Sequence, residues 1–512
     1  MSKEQRTYQC RLHTGEAEEI LLSEYAAVYG KAERTLFARL AAGGNLTDLK
    51  REFLPRFGIT ARQFNAVSAG LKGKMASVRE RRAGIILESN SRIARAKKVI
   101  AKTTDPAKKH QKKRRLAAME SRLLRLTADC DLGRIRLSFG SRRLFRAQFS
   151  LTANGFASQD AWRKEWQDSR NSQFFILGSK DETAGCQSSV ASVESDGSVT
   201  LKLRIPNALS GAGKYLTFAG LRFNHGHDDI VAAIGRNLSH DKDDWQAINY
   251  RFIKDVKGWR VFVTAALPSR PLRSRRDIGV IGVDINADHL AVTETDRFGN
   301  PVNCYSVPCV TYGKTAAQRS AIIGDAVKKV MLFVDAKEKP LVVEKLDFAK
   351  KKAALENESP KYARMLSSFA YTGVHVLLRA RAYDAGIEVH EVNPAYTSVI
   401  GRYKFQNRYG LSAHNAAALV IGRRSMGCRE TLPGQLHGTL PLSARNRGRH
   451  VWSKWAIVNR MAQAASAAHR RPGSPRSSPS PVSRSGDKAR VATIPSVAGE
   501  TPACEPSSAL FG

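Results

Sequence analysis

The sequence predicts a multidomain α+β protein in which a helical region and a small β-barrel precede an α/β domain. Three observations carry that reading. Apolar residues recur at helical spacing from Glu16 onward, and short alternating strands separated by Gly, Asn and Asp take over near Leu144. From Gly279 an antiparallel meander is followed by strands that alternate with helices, the order that builds a partly parallel sheet. At 512 residues the chain exceeds what one hydrophobic core supports, so several domains are required.

Taken in order, residues Thr7 to Leu12 read as a strand, assigned within 1–14 to the barrel. The segment 15–143 reads as helical. Leu21, Tyr25, Val28, Ala32, Leu36 and Leu40 share one face of a first helix, which the Gly43-Gly44 pair breaks. A second helix covers Leu46 to Phe53. Thr60 with Gln63 three residues later forms a capping box for a third, followed by Phe64, Val67, Leu71, Met75 and Val78 at helical spacing. Segment 144–270 is assigned to the barrel, from strands RLFRAQFSL, SVTLKLRIP, KYLTFAGLRF, QAINYRFIKDV and GWRVFVTAALP. Trp245, Tyr250 and Trp259 are expected in its core. Segment 271–468 is the α/β domain. The tail, 469–512, is expected to be disordered: Pro472 to Ser508 holds 16 Ser or Pro among 37 residues and no aromatic ring.

Lys and Arg number 83 against 46 Asp and Glu, a net charge of +37. A compact chain with that surplus repels itself unless a polyanion neutralises it, and nucleic acid is the partner that gains most, through counterion release. Between Arg92 and Leu126, 13 of 35 residues are basic and only Asp105 and Glu120 are acidic. Lys97, Lys98, Lys112, Lys113, Arg114 and Arg115 form the centre of this stripe. A solvated helical face would be the ordinary meaning of such a run, but its one-sidedness favours contact with a phosphate backbone. No run of about 18 uncharged apolar residues is present, so no membrane partner is expected. The start, MSKEQRTYQC, lacks an apolar segment after its charges, so a soluble, cytoplasmic protein is expected. Seven cysteines stand singly without metal-ligand spacing, and no zinc is expected.

Residues 279–303 read GVIGVDINADHLAVTETDRFGNPVN: an apolar strand delivers Asp284, and a second strand and a hairpin turn at Asp296 to Gly299 follow. A helix is expected over Thr315 to Val334, then the strand PLVVEKL ending near Glu344. Helix-rich residues Lys361 to Ala385 precede a third strand, GIEVHEVNP. A carboxylate at the end of a buried strand is costly unless it is paired or binds a cation. This order is the pattern of a ribonuclease H-like domain.

Residues 279–303, 340–348 and 387–426 resemble the first, second and third RuvC motifs of the TnpB family of transposon-encoded RNA-guided nucleases, related to type V CRISPR effectors. The motifs GVDIN, VVEKL and NPAYTS carry the resemblance, over about 150 residues. It implies a first strand and β-barrel forming a wedge domain, a helical recognition domain, and a RuvC-like nuclease domain. It further implies a Mg²⁺-dependent DNA endonuclease using two ions, a guide RNA and a double-stranded DNA target as partners, and a nucleoid-associated location in a prokaryote. Asp284 matches the first catalytic and metal-binding position and Glu344 the second. Asp288 and Asp347 are read as bystanders.

The third motif departs from the family. Where an Asp is expected the chain reads GLSAHNAAALVIGRR (410–424), with Ala413 or Asn415 at the position according to register, and no Asp or Glu between Glu391 and Glu430. Three outcomes stay open: His414 and Asn415 complete a modified catalytic site, a carboxylate from elsewhere such as Glu391 one strand away moves in, or the nuclease is inactive and the protein only binds a guided target. A conventional transposase is a further alternative.

Overall fold

The computed structural model describes residues 5–267, 270–345, 371–434 and 450–469. Contacts divide the chain into two units, Met1–Gly438 and Thr439–Gly512. Of the second, the described part is one helix. The expected disordered tail lies outside the described residues, apart from its first residue, as does Asp347.

The first unit opens with β1 (Gln5–Arg11) and three helices, α1 (Glu16–Ala41), α2 (Leu46–Phe57) and α3 (Ala61–Ala101). The capping box at Thr60 is formed: Gln63 N donates to Thr60 Oγ1, and Thr60 N donates to Gln63 Oε1. Gly58, with φ 56°, ends α2 in the left-handed conformation, where an L side chain is strained. Asp105 caps α4 (Pro106–Asp131), which folds back along α3. Arg82 of α3 donates to the carbonyl of Asp129, and Lys97 pairs with Glu120, so the two helices run antiparallel.

The stretch 143–151, expected as a strand, is helical instead: α5 spans Arg142–Ala147 and a 3₁₀ turn follows. Ser141 caps α5 through the Leu144 amide, and Phe145 and Phe149, four residues apart, share a face in either a strand or a helix, so the cap decides it. After α6 (Gln159–Arg170) come β2 (Gln173–Ile176), β3 (Ser189–Val193), β4 (Val199–Arg204), β5 (Tyr215–Leu221), α7 (His227–Arg236), β6 (Asn249–Asp255) and β7 (Gly258–Ala266).

These strands do not close. Among the described residues they form two open sheets, ordered β1-β7-β6-β2 and β3-β4-β5, in place of the expected small barrel. Closure requires every edge to be paired; here β1 and β2 bound one sheet, β3 and β5 the other. Both sheets share one core with α1 to α3, including Leu22, Leu36, Phe53, Phe64, Phe174, Phe252, Trp259 and Leu203. Tyr250 and Trp259 are fully enclosed there, whereas Trp245 is half-buried.

Then β8 (Ile281–Ile285), β9 (His289–Thr295) and β10 (Pro301–Pro308) form the meander; α8 (Ala316–Lys337), β11 (Leu341–Glu344), α9 (Tyr371–Asp384) and β12 (Val389–Val392) follow. The sheet order is β10-β9-β8-β11-β12, with β11 parallel to both β8 and β12. This is a ribonuclease H-like topology. One face buries Ile281, Val283, Leu341 and Val343 against α8 and α9. The other carries Val280, Val342 and Val392 beneath α10 (Ala413–Ser425), whose Ile421 packs among them. In the second unit, α11 spans Val451–His469.

Candidate nuclease site

Gly282 sets the geometry of the site. A Cβ there would lie 2.0 Å from the carbonyl oxygen of Ala418, so only glycine lets α10 press onto the central strand. The facing turns of α10 are correspondingly small and buried, at Ala416, Ala417 and Ala418. Thr293 of β9 donates to the carbonyl of Asn415 at 2.8 Å, and Ser412 caps the helix through the Asn415 amide. The N-terminus of α10 is thereby held over the end of β8.

The strand register brings the two expected acids together. Val283 pairs with Val343 in the parallel β8–β11 ladder, so the next residues, Asp284 and Glu344, are neighbours. Residues side by side in a parallel ladder point to the same face. That face is the α10 face, because Val283 and Val343 belong to the opposite core. Asp284 is 7% exposed. Its Oδ2 accepts from Asn286 Nδ2 at 3.0 Å and from His414 Nδ1 at 3.3 Å. Glu344 Oε1 accepts a 2.6 Å hydrogen bond from the hydroxyl of the buried Thr397.

His414 therefore stands over the first acid in the third motif. The hydrogen bond to Asp284 is the largest influence on its imidazole and lifts the pKa above the ordinary value; burial opposes this, and the charges of Asp284 and Asp288 add to it. His289 meets His414 edge to face with ring centroids 4.8 Å apart. Asp288, read from sequence as a bystander, lies 2.7 Å from His289 Nδ1 and belongs to this cluster. Asn415 Oδ1 is buried in the same helical turn with no hydrogen-bond donor.

Glu391 does not move in. It pairs with Val343 across the β11–β12 ladder and so points to the opposite face, where Arg379 Nη1 donates to it at 2.8 Å. A one-residue offset along a strand reverses the face.

The resemblance implies two Mg²⁺ ions, and the donors present fit one. Asp284 and Glu344 are adjacent carboxylates on one face of the sheet. Mg²⁺ commonly binds through one or two carboxylates and keeps several waters. Among the described residues no group of three or more His, Cys, Asp or Glu is placed to hold a metal, so the two carboxylates stand as a pair.

No family model and no curated protein matches the chain. Among solved structures, T. thermophilus RuvC in complex with Holliday junction substrate is similar at 16% identity, over 28% of this chain and 90% of that one, with a TM-score of 0.21. The Cas12f1-sgRNA-target DNA complex is similar at 11% identity over 82% and 100%, with a TM-score of 0.23. The Cas12i-crRNA-dsDNA complex in the I1 state follows at 10% identity over 75% and 67%, again at 0.23. Scores of this size carry no weight for activity.

Of the six basic residues singled out, Lys97 and Lys98 lie near the end of α3 and the other four on α4. Lys97 pairs with Glu120 at 2.9 Å, and Lys112 donates to Thr103 Oγ1 at 3.0 Å, so these two brace the hairpin. Lys98, Lys113, Arg114 and Arg115 are exposed, with no acidic partner among the described residues. No helix in the described residues is long and apolar enough to cross a membrane.

Sequence reasoning missed Thr397 and Gly282. Thr397 lies within NPAYTS, which was read only as a family mark. Gly282 was signalled by a glycine in an otherwise β-branched strand together with the AAA run of α10, small residues that let two elements approach closely.

Proposed function

We propose that this chain is an RNA-guided DNA-binding protein of the TnpB type, and that its ribonuclease H-like domain is a DNA endonuclease with a modified third motif. The observation that carries this is Asp284 beside Glu344 on one face of the sheet, beneath His414. Two carboxylates from adjacent parallel strands, under a helix N-terminus, suit a divalent cation and a phosphodiester. When bound, Mg²⁺ supplies charge stabilisation at the phosphate and acidifies its water. Asp284 and Glu344 hold the cation, Thr397 fixes the rotamer of Glu344, and His414 stands where the family has a third acid. Lys98, Lys113, Arg114 and Arg115 neutralise phosphates, and base pairing with the guide supplies sequence specificity.

The test is to purify the full chain with the RNA it carries, sequence that RNA, and assay plasmids bearing the matching sequence with Mg²⁺. The expected result is cleavage that Asp284→Ala abolishes; equal cutting by that variant overturns the assignment. A second reading, a nuclease-inactive guided binder, is favoured by His414 occupying Asp284 Oδ2 and by the lack, among the described residues, of a third acidic or imidazole group clustered there to hold a metal. It expects guide-dependent binding without nicking in Mg²⁺ or Mn²⁺. Absence of a discrete co-purifying RNA would instead favour a conventional transposase.

A further inference from the structure

The hairpin of α5 and α6 carries a row of aromatic rings that runs from the interior to solvent. Trp162 is buried at 3% exposure, and its indole N–H donates to the Leu144 carbonyl at 2.8 Å, which locks α6 to α5. Trp166 stacks on Trp162 with centroids 5.1 Å apart, Phe145 leans on Trp166 at 5.7 Å, and Phe149 meets Phe145 edge to face at 6.5 Å. The guanidinium of Arg170 lies 3.8 Å from the Trp166 ring centroid, a cation on the row's second ring. The outer end is open: Phe149 is 76% exposed and Phe145 40%.

A lone exposed phenylalanine is ordinary. This one ends a row of packed rings and sits in a stretch of single charge. Residues 132–159 contain five arginines and no Asp or Glu. Arg136 is paired with Asp129, whereas Arg142, Arg143 and Arg146 are exposed and have no acidic partner among the described residues. Arg142 and Arg146 stand one turn apart on α5, and Phe145 of that helix touches Phe149 just past its end, so cations lie beside the outer rings. Exposed arginines beside exposed rings are the chemistry of single-strand binding, since bases stack on rings while arginines meet the backbone.

We propose that Phe149, supported by Phe145 and flanked by Arg142, Arg143 and Arg146, is a stacking site for an unpaired base of single-stranded DNA. The choice of DNA rests on the function proposed above, in which opening a target duplex creates a single strand. The stacking itself is read by binding and needs no cleavage. The patch therefore fails or stands independently of Asp284.

The experiment uses the full chain and a short single-stranded DNA containing 2-aminopurine, whose fluorescence is quenched on stacking. Phe149→Leu keeps apolar bulk but removes the ring, and Phe149→Trp keeps a ring. The expected result is that Phe149→Leu weakens binding about tenfold and loses quenching, while Phe149→Trp retains both. Arg146→Ala is expected to lower the slope of log affinity against log salt by about 0.7, one released counterion on a single strand. Unchanged quenching and affinity in Phe149→Leu overturns the proposal. So does tighter, Phe149-dependent binding of an RNA of the same sequence, which would assign the patch to RNA.

Discussion

Thr397 donates a 2.6 Å hydrogen bond to Glu344 Oε1, linking the NPAYTS segment to the strand that carries the second acid. The same hydroxyl lies 3.1 Å from the Pro394 carbonyl, and the threonine is 2% exposed. A side chain enclosed to that degree has one orientation, so the carboxylate it holds has few.

Thr397→Val preserves the shape and removes the donor. Folding stability is expected to fall by about 1–2 kcal/mol, the cost of leaving a carboxylate oxygen without its donor. If the site cuts DNA, the cleavage rate falls as well, and Thr397→Ser restores both. Denaturant unfolding of the three proteins together with a nicking assay checks this. An unaltered rate in the valine variant would remove Thr397 from the site.

Gly282→Ala places a methyl group 2.0 Å from the Ala418 carbonyl oxygen and 2.8 Å from the Gly422 amide nitrogen. Both atoms are backbone of α10, with no flexible side chain to yield, so about 3 kcal/mol of destabilisation is expected, the upper range for overpacking. The melting temperature reads the loss. The chemical shift of the His414 ring reads the displacement of α10 from Asp284.

His414 has its pKa raised by the hydrogen bond to Asp284. For a base whose folded pKa exceeds its unfolded one, the added stability is complete below the unfolded value and disappears as pH climbs through the folded value. The gap in melting temperature between wild type and His414→Gln is therefore expected to be widest in mild acid and to shrink toward alkaline pH. By NMR titration, Asp284→Asn is expected to bring the His414 pKa down toward that of a free imidazole. A pKa indifferent to Asp284→Asn refutes the pairing.

Glu430 is 6% exposed and accepts from Lys404 Nζ at 2.7 Å and Arg423 Nε at 2.6 Å; Arg423 also donates to the Gly299 carbonyl. Glu430→Gln keeps the shape but leaves two enclosed cations without a counter-charge. A loss of about 3 kcal/mol or more is expected in denaturant unfolding. Lys404→Met combined with Glu430→Gln should recover part of it.

Much of the fold was legible because its signals are local. The capping box at Thr60, the Gly43-Gly44 break and the helical spacing through Leu36 each depend on residues within a few turns, and the helices lie where those signals put them. The stretch 143–151 misled because Leu, Phe and Arg serve a strand as well as a helix. Ser141 decided it by capping α5. The barrel misled for another reason: strand-forming segments show that strands exist, but which edges meet is a long-range matter.

The order of strands and helices from Gly279 to Val392, the excess of cations and the presence of acids at two strand ends were determined by the sequence alone, through periodicity and composition that any segment carries by itself. Which acids share a face was decided only by tertiary structure. Pairing Val283 with Val343 sets Asp284 beside Glu344, and pairing Val343 with Glu391 turns Glu391 away. The reason is that a strand's side chains alternate every residue, so the face each one takes depends on a register between distant segments. The seating of His414 on Asp284 depends likewise on how closely α10 approaches Gly282.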